Sequence, residues 1–146
     1  MKNILFLCTG NSARSIMAEA YMNHAGHGDW NAYSAGSNPT GRPNPFAIET
    51  LKNHAIDPGE PRSKSWNEFA AIGAPVMHSV VTVCDNAAGE VCPVWPTTNG
   101  AAPQKHHWSF EDPAAATGSD DEIGQEFERI FGQIRATIDT FLKGQA

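Results

Sequence analysis

Hydrophobic positions along the chain alternate between short continuous runs and stretches with helical spacing. Continuous apolar runs indicate strands buried in a sheet, whereas apolar residues three or four positions apart indicate helices packed against it. The pattern predicts strands over 3–8, 30–36 and 76–84 and helices over 13–25 and 46–55. Because strands alternate with helices, we expect an α/β fold, in which a parallel sheet carries helices on both faces.

The last part of the chain predicts a long amphipathic helix. Ser119 and Glu122 have the spacing of a capping box, and Asp120 and Asp121 place negative charge at the positive end of the helix dipole. The apolar positions that follow recur on one helical face: Ile123, Phe127, Ile130, Phe131, Ile134, Ile138 and Phe141. We therefore assign this stripe to the hydrophobic core.

The segment from Asp85 to Gly118 differs in character from the rest of the chain. Prolines and glycines interrupt it, and only HHWSF at 106–110 has the pattern of a strand. Long irregular segments inside a compact domain more often carry a function than a purely structural role. Ligands of parallel sheets bind beyond the carboxyl ends of the strands, which is where Cys8 and Cys84 fall. These cysteines are therefore the first candidates for a functional site.

Length, charge and cysteine count narrow the classes of function. We expect residues 1–146 to form a single domain with its own core. No apolar run reaches the roughly 20 residues of a membrane span, and the run in MKNILFLC is too short for a secretory leader. We therefore expect a cytoplasmic protein without a membrane partner. A net charge of −6 argues against nucleic acid as a partner, and the odd count of 3 cysteines indicates reduced thiols.

The stretch CTGNSAR, residues 8–14, joins the first predicted strand to the first predicted helix. Backbone N–H groups of such a loop converge with the helix N-terminus on one point, which can bind a tetrahedral oxyanion. Arg14 adds a planar fork of donors, and the same positive surroundings are expected to lower the pKa of the Cys8 thiol. We expect Asn11 to hold the shape of the loop, and the hydroxyl of Ser12 or Ser15 to donate to the thiolate. The candidate oxyanion-binding residues are Thr9, Gly10, Asn11, Ser12, Ala13, Arg14 and Ser15.

A purely structural interpretation of the same residues is also available. Buried cysteines are common, and an arginine near the start of a helix is often only a surface charge. Taken singly, Cys8 and Arg14 would favour that interpretation. Their combination with Gly10, placed between a strand and a helix, favours the oxyanion site instead.

The sequence also resembles a known family. CTGNSARS is similar to the C-x5-R-S loop of low-molecular-weight protein tyrosine phosphatases and of the arsenate reductases built on the same fold. The resemblance continues through YSAG at 33–36, VVTVCDNAAGEVCP at 80–93 and HWSFEDPA at 107–114. It implies a three-layer α/β/α fold with a four-stranded parallel sheet. The loop by itself does not separate the two activities.

Asp112, which precedes Pro113, matches the general acid of this family. In a phosphatase it would protonate a leaving phenol, and in a reductase a leaving hydroxyl on arsenic. The proline restricts the aspartate to extended backbone, which helps to aim its carboxyl group. Without the resemblance, an Asp-Pro pair would indicate only a turn. The phosphatases usually carry aromatic residues after this pair, whereas AAATG follows it here.

Cys84 and Cys92 distinguish the two activities. A phosphatase needs one thiolate and water, whereas reduction of As(V) to As(III) needs two electrons, which two thiols supply by forming a disulfide. By resemblance to the thioredoxin-coupled reductases, Cys8 attacks arsenate, Cys84 attacks Cys8, and Cys92 attacks Cys84. Thioredoxin, or glutathione with glutaredoxin, would then restore the thiols. The intervening DNAAGEV segment is short and contains Gly89, so its two ends can approach to disulfide distance.

The resemblance therefore implies arsenate as the substrate, phosphate and sulfate as analogues, and neither a cofactor nor a metal. Two alternatives remain open. The first is a low-molecular-weight protein tyrosine phosphatase that hydrolyses phosphotyrosine or aryl phosphates through a Cys8 phosphoenzyme. The second is a non-catalytic oxyanion sensor, against which the acid Asp112 argues. Zinc is less favoured, because His106 and His107 lie in a strand-like run and face opposite ways.

Two departures from relatives concern the surroundings of the loop. Some relatives bind a monovalent cation near residues that match Asn11, Glu19 and Ser34, with an acidic residue completing the site. The position of that acid is Lys64 here, so its ammonium group is expected to replace the cation. Many relatives also carry a cysteine where this chain has Ala13, so no fourth thiol competes with the relay.

Overall fold

The computed structural model describes residues 2–84 and 102–144, and all structural statements concern those residues. Its strands are β1 (Lys2–Leu7), β2 (Trp30–Ala35), β3 (Ser79–Thr82) and β4 (Gln104–His107). Its helices are α1 (Arg14–Ala25), α2 (Pro45–Asn53), α3 (Asn67–Ala70) and α4 (Asp120–Gly144), with a short 3-10 helix over Pro113–Ala115. Strands and helices alternate as the hydrophobic pattern predicts.

The four strands form one parallel sheet in the order β2-β1-β3-β4. Leu5 of β1 lies opposite Tyr33 of β2 on one side and Val80 of β3 on the other. Since β1 and β3 are neighbours and run in the same direction, the residues that follow them meet at one edge of the sheet. The predicted four-stranded parallel fold is confirmed.

Side chains of β1 alternate between two apolar layers, as the pleat of a strand requires. Ile4 and Phe6 point into a core formed with α1, α2 and α4, whereas Leu5 and Leu7 point into a second core that contains Phe69 of α3. These four residues of β1 are fully buried. Burial of each large apolar side chain contributes roughly 1.5–3 kcal/mol, so both layers hold the sheet in place.

Helix α4 has the predicted cap and the predicted buried face. The Ser119 hydroxyl accepts from the Glu122 backbone N–H at 3.2 Å, and the Glu122 carboxylate accepts from the Ser119 backbone N–H at 3.3 Å. Five residues of the apolar stripe are fully buried, and two more pack against that core: Phe127, Ile130, Phe131, Ile134 and Ile138, with Ile123 and Phe141. None of the helices in the described ranges combines the length and the apolar composition needed to cross a bilayer.

Three local predictions differ from the structure. The strand predicted over 76–84 is shortened to β3, and just before its start the imidazole Nδ1 of His78 accepts the Asn3 N–H at 2.9 Å, so that this N–H is not part of the ladder. The strand predicted at 106–110 begins two residues earlier and ends three residues earlier, as β4. Helix α3 was not predicted, because one helical turn is too short to show a period.

Candidate active site

The loop between β1 and α1 is fixed from outside through its carbonyl groups. In a trans peptide the N–H points opposite to the carbonyl, so a loop whose carbonyls are bound outside turns its N–H groups inward. The Thr9, Gly10 and Ser12 carbonyls accept from the backbone N–H groups of Asn38, Thr40 and Asn44 at 3.0, 3.0 and 2.8 Å. The Gly10 carbonyl also accepts from the Ser63 hydroxyl at 3.0 Å. The arrangement concentrates donors at the centre of the loop, where an oxyanion would bind.

Asn11 supplies the sharp turn within this loop. Its φ is 46°, in the left-handed region that asparagine tolerates better than most residues, and its side chain is fully buried. The side-chain carbonyl accepts from the Lys64 backbone N–H at 2.9 Å, and the amide donates to the Ser15 hydroxyl at 2.8 Å. Asn11 thereby ties the loop both to α1 and to the segment around Lys64.

Gly36, at the end of β2, was not among the predicted site residues, yet it determines how closely the loop approaches the sheet. A Cβ atom at this position would lie 2.4 Å from the Thr9 carbonyl oxygen and 2.6 Å from that of Cys8. Backbone atoms cannot yield as a flexible side chain can, so only glycine fits. Its presence in the YSAG stretch was the one available signal in the sequence.

Cys8 and Cys84 meet at the carboxyl ends of β1 and β3. Both are buried, with exposed fractions of 5% and 4%. The Thr9 hydroxyl oxygen lies 3.9 Å from the Cys84 sulfur. The hydrogen bond with Cys84 and then burial raise the pKa of the Cys8 thiol, and the Arg14 charge and the Gly10 N–H oppose this rise without outweighing it. The expectation of a lowered pKa was therefore wrong, because it did not include a second thiol in contact with the first.

Arg14 and Asp112 are brought together across the mouth of the loop. Arg14 is the first residue of α1, and its Nη1 donates to the Phe110 carbonyl oxygen at 2.9 Å. Its Nη2 lies 3.7 Å from Oδ2 of Asp112. The Asp112 backbone is extended (φ −82°, ψ 108°), and its Oδ1 accepts from the Ala114 N–H at 3.0 Å, which caps the 3-10 helix. The carboxylate thus lies beside the guanidinium group.

A buried ion pair lies behind the loop. The Lys64 ammonium is 3.8 Å from the Glu19 carboxylate and donates to the Arg62 carbonyl at 3.0 Å. Burial raises the pKa of Glu19, and the Lys64 charge opposes this rise. Burial likewise lowers the pKa of Lys64, opposed by Glu19. The Lys64 ammonium group therefore lies beside the Glu19 carboxylate, while the Lys64 backbone N–H binds the loop residue Asn11.

The remaining predicted residue, Cys92, lies outside the described residues, as does Gly89 of the segment before it. The Ser15 hydroxyl accepts from the Asn11 side-chain amide at 2.8 Å. Over 2–84 and 102–144, no three His, Cys, Asp or Glu side chains come together in a way that could hold a metal ion.

The fold and the site together define a class of protein. A buried thiol and a loop whose carbonyl groups are bound from outside lie at the carboxyl edge of a parallel sheet, with the Arg14 guanidinium group beside the Asp112 carboxylate. The low molecular weight phosphotyrosine protein phosphatase family matches residues 3–145. The chain therefore belongs to that family.

Within the family, relatives that carry the name arsenate reductase are similar over almost the whole chain. The arsenate reductase of Halalkalibacterium halodurans is 39% identical over 96% of this chain and 94% of its own length. The arsenate reductase structure from Archaeoglobus fulgidus is 25% identical, covers 96% of this chain and 98% of that one, and gives a TM-score of 0.71. A thioredoxin-dependent arsenate reductase of Corynebacterium glutamicum is 26% identical, covers 99% of this chain and 63% of that one, and gives a TM-score of 0.65.

Proposed function

We propose that this chain reduces arsenate to arsenite by a thiol relay that begins at Cys8. The observation that carries the proposal is the contact between the Cys8 and Cys84 thiols beside the oxyanion loop. A phosphoryl transfer uses one thiol, whereas a two-electron reduction uses two that can reach each other. The names of the similar relatives support the same activity.

In the first step, the loop N–H groups and Arg14 hold arsenate, and the Cys8 thiolate attacks arsenic. A sulfur–arsenic bond forms and one arsenic–oxygen bond breaks, so arsenic remains As(V). Asp112 donates a proton to the departing hydroxide, which leaves as water. The Gly10 N–H and the Arg14 charge both favour the thiolate form of Cys8, which is the nucleophile.

In the second step, the Cys84 thiolate attacks the sulfur of Cys8. A disulfide bond forms, and the electron pair of the sulfur–arsenic bond moves to arsenic, which becomes As(III). Arsenite leaves, and the two cysteines are oxidised. The hydrogen bond between the Cys8 and Cys84 thiols supports this step, because a disulfide forms only between cysteines whose side chains already approach each other.

The third step moves the disulfide bond from the Cys8–Cys84 pair to the Cys84–Cys92 pair. The Cys92 thiolate attacks Cys84, which releases Cys8 as a thiolate and leaves a Cys84–Cys92 disulfide. A thioredoxin, or glutathione with glutaredoxin, then reduces this disulfide and becomes oxidised in turn. We place the cycle in the cytoplasm, where such reductants keep protein thiols reduced.

A second candidate activity is hydrolysis of aryl phosphates. Phosphate and arsenate have the same shape and charge, so one loop of inward N–H groups binds both, and the same Cys8 and Asp112 would serve a phosphoenzyme. We propose this only as a weak side activity, since the AAATG stretch that follows Asp112 provides no aromatic residue to contact a phenol ring.

The test is NADPH consumption by purified protein with arsenate, thioredoxin and thioredoxin reductase. A parallel assay replaces the thioredoxin pair with glutathione, glutaredoxin and glutathione reductase. Arsenate-dependent consumption is expected in one of them, and the one that responds identifies the electron donor. If neither assay shows arsenate-dependent NADPH consumption and the protein cleaves p-nitrophenyl phosphate rapidly, the protein is a phosphatase instead.

Two cysteine variants separate the steps of the relay. Cys8→Ser is expected to abolish all turnover, because an alcohol is a far poorer nucleophile at neutral pH. Cys92→Ser is expected to release one arsenite per protein and then stop as a Cys8–Cys84 disulfide, which mass spectrometry detects. Continuous cycling of Cys92→Ser with thioredoxin would show that the third step is wrong.

A further inference from the structure

The segment that carries Asp112 is fixed at almost every residue. Phe110 is buried, its N–H donates to the Val83 carbonyl at 3.3 Å, and its carbonyl accepts from Arg14. Pro113 is buried and starts the 3-10 helix. Glu111 and Asp112 lie between these anchors with exposed side chains. The direction of the Asp112 carboxylate therefore depends on its own contacts with Ala114 and Arg14 and on what holds the neighbouring Glu111.

Glu111 is held by Arg129 of α4. The Arg129 Nη2 donates to Oε2 of Glu111 at 2.7 Å. The same guanidinium group is anchored on its own helix, since its Nε lies 3.1 Å from each carboxylate oxygen of Glu126, three residues earlier. A guanidinium group fixed by one carboxylate presents its remaining donors in a defined direction. Glu111 is therefore tied to a rigid element rather than to another loop.

We infer that Arg129 and Glu111 are positioning residues for Asp112, an inference that rests on the proposed role of Asp112 as the acid. Consecutive side chains of an extended segment point to opposite sides. Glu111 points to α4, and Asp112 points to Arg14 of the loop. A Glu111 side chain held in place limits rotation of the backbone at residues 111 and 112. This rotation sets the direction in which the Asp112 carboxylate points.

The expected effect is kinetic and not a loss of folding. Arg129 and Glu111 are both exposed, and exposed ion pairs contribute little to stability. A displacement of about 1 Å in a catalytic group can nevertheless cost about 100-fold in rate. Loss of the pair is thus expected to slow the protonation step while the fold and the anion-binding loop remain intact.

The experiment is a double-mutant cycle on the full chain between Arg129→Gln and Asp112→Asn. The rate of Cys8–Cys84 disulfide formation on mixing with arsenate is measured by quenching and mass spectrometry, in a Cys92→Ser background. Thermal unfolding and phosphate affinity are measured for each variant. Arg135→Gln serves as the matched control, because it removes a positive charge from the same helix and its guanidinium group lies over the Tyr21 ring instead.

We expect Arg129→Gln to slow the reaction about 10-fold, within the loss that a misplaced catalytic group causes. Phosphate affinity and the unfolding temperature should stay unchanged, and Arg129→Lys should restore part of the rate. In the Asp112→Asn background, Arg129→Gln should have no further effect, since residues that act through one another are not additive. Arg135→Gln should react at the wild-type rate.

Two results would overturn the inference, and they are distinguishable. If Asp112→Asn is slow but Arg129→Gln reacts at the wild-type rate, or loses the same factor in both backgrounds, the positioning role is wrong and the role of Asp112 stands. If Asp112→Asn itself reacts at the wild-type rate, the proposed acid is wrong, and the positioning role fails with it.

Discussion

The Arg14 guanidinium group donates to the Phe110 carbonyl oxygen at 2.9 Å, two residues before Asp112. This hydrogen bond joins the helix that closes the oxyanion loop to the segment that carries the proposed acid. Arg14 Nη2 is also 3.7 Å from the Asp112 carboxylate. The side chain that we propose to bind the anion therefore contacts both the proposed acid and the segment that carries it.

Asp112→Asn is expected to separate these two functions. The variant keeps the shape of the side chain and the cap of the 3-10 helix but cannot donate the proton, so the first arsenate turnover should slow by about 100-fold or more. Removal of a negative charge beside Arg14 should leave phosphate affinity equal or tighter. Rapid quench with mass spectrometry gives the rate, and calorimetry gives the affinity. A weaker phosphate affinity would mean that Asp112 helps to build the loop itself.

Cys84→Ala is expected to lower the pKa of Cys8. The hydrogen bond with Cys84 is the largest cause of the raised value, and its loss leaves Arg14 and the Gly10 N–H to act on a single thiol. With a lower pKa, more thiolate is present near neutral pH, so alkylation of Cys8 by iodoacetamide should be faster there. The pH dependence of the alkylation rate measures the change. Cys92→Ser is the control, and an unchanged inflection in Cys84→Ala would contradict the assigned cause.

Gly36→Ala is expected to displace the oxyanion loop. The added Cβ would meet the Thr9 and Cys8 carbonyl oxygens at 2.4 and 2.6 Å, so the loop backbone must move. We expect phosphate affinity to fall by about 10-fold or more. Gly132→Ala is the matched control, because a Cβ there meets open space on α4 and should raise stability by up to about 1 kcal/mol. Wild-type phosphate affinity in Gly36→Ala would show that the loop adapts without cost.

Lys64→Met is expected to leave Glu19 buried without its opposite charge. Removal of one partner from a buried ion pair costs about 3 kcal/mol of unfolding free energy. Burial raises the pKa of Glu19 above its ordinary value. The loss of unfolding free energy in Lys64→Met should therefore become smaller as the pH falls through the Glu19 pKa, because the carboxyl group then becomes neutral. Urea unfolding between pH 4 and 8 checks the direction, because this range starts near the ordinary glutamate pKa of about 4.3 and extends above it.

The same variant tests whether the ammonium group takes the place of a monovalent cation. Phosphate affinity of the wild type should be the same in potassium and in sodium buffers, because Lys64 provides a covalently held charge 3.8 Å from Glu19. In Lys64→Met, potassium should restore affinity and stability more than sodium does. Strong potassium dependence of the wild type would contradict this role of Lys64.

Much of the fold was predictable from local patterns. The alternation of apolar runs with helical stretches predicted the parallel sheet, and the Ser119–Glu122 spacing predicted the cap of α4. Both depend on residues a few positions apart, so the sequence displays them directly. Cys8, Arg14 and the loop between them could be singled out for the same reason.

Contacts between distant segments were not predictable in this way. Gly36 meets Thr9 only because β2 lies beside β1, and Arg129 reaches Glu111 only because α4 packs behind the acid segment. The pKa of Cys8 is raised by a cysteine that lies far along the chain and arrives through the pairing of β1 with β3.

The sequence by itself determined most of the strands and helices and singled out the candidate nucleophile and its loop, because propensity, periodicity and capping act over a few residues. Only the tertiary structure decided which thiol Cys8 meets, how Arg14 joins the acid segment and which side chains fix the loop. Those relationships depend on strand order and helix packing. The pKa of a side chain such as Cys8 likewise depends on the neighbours that packing brings within a few ångströms.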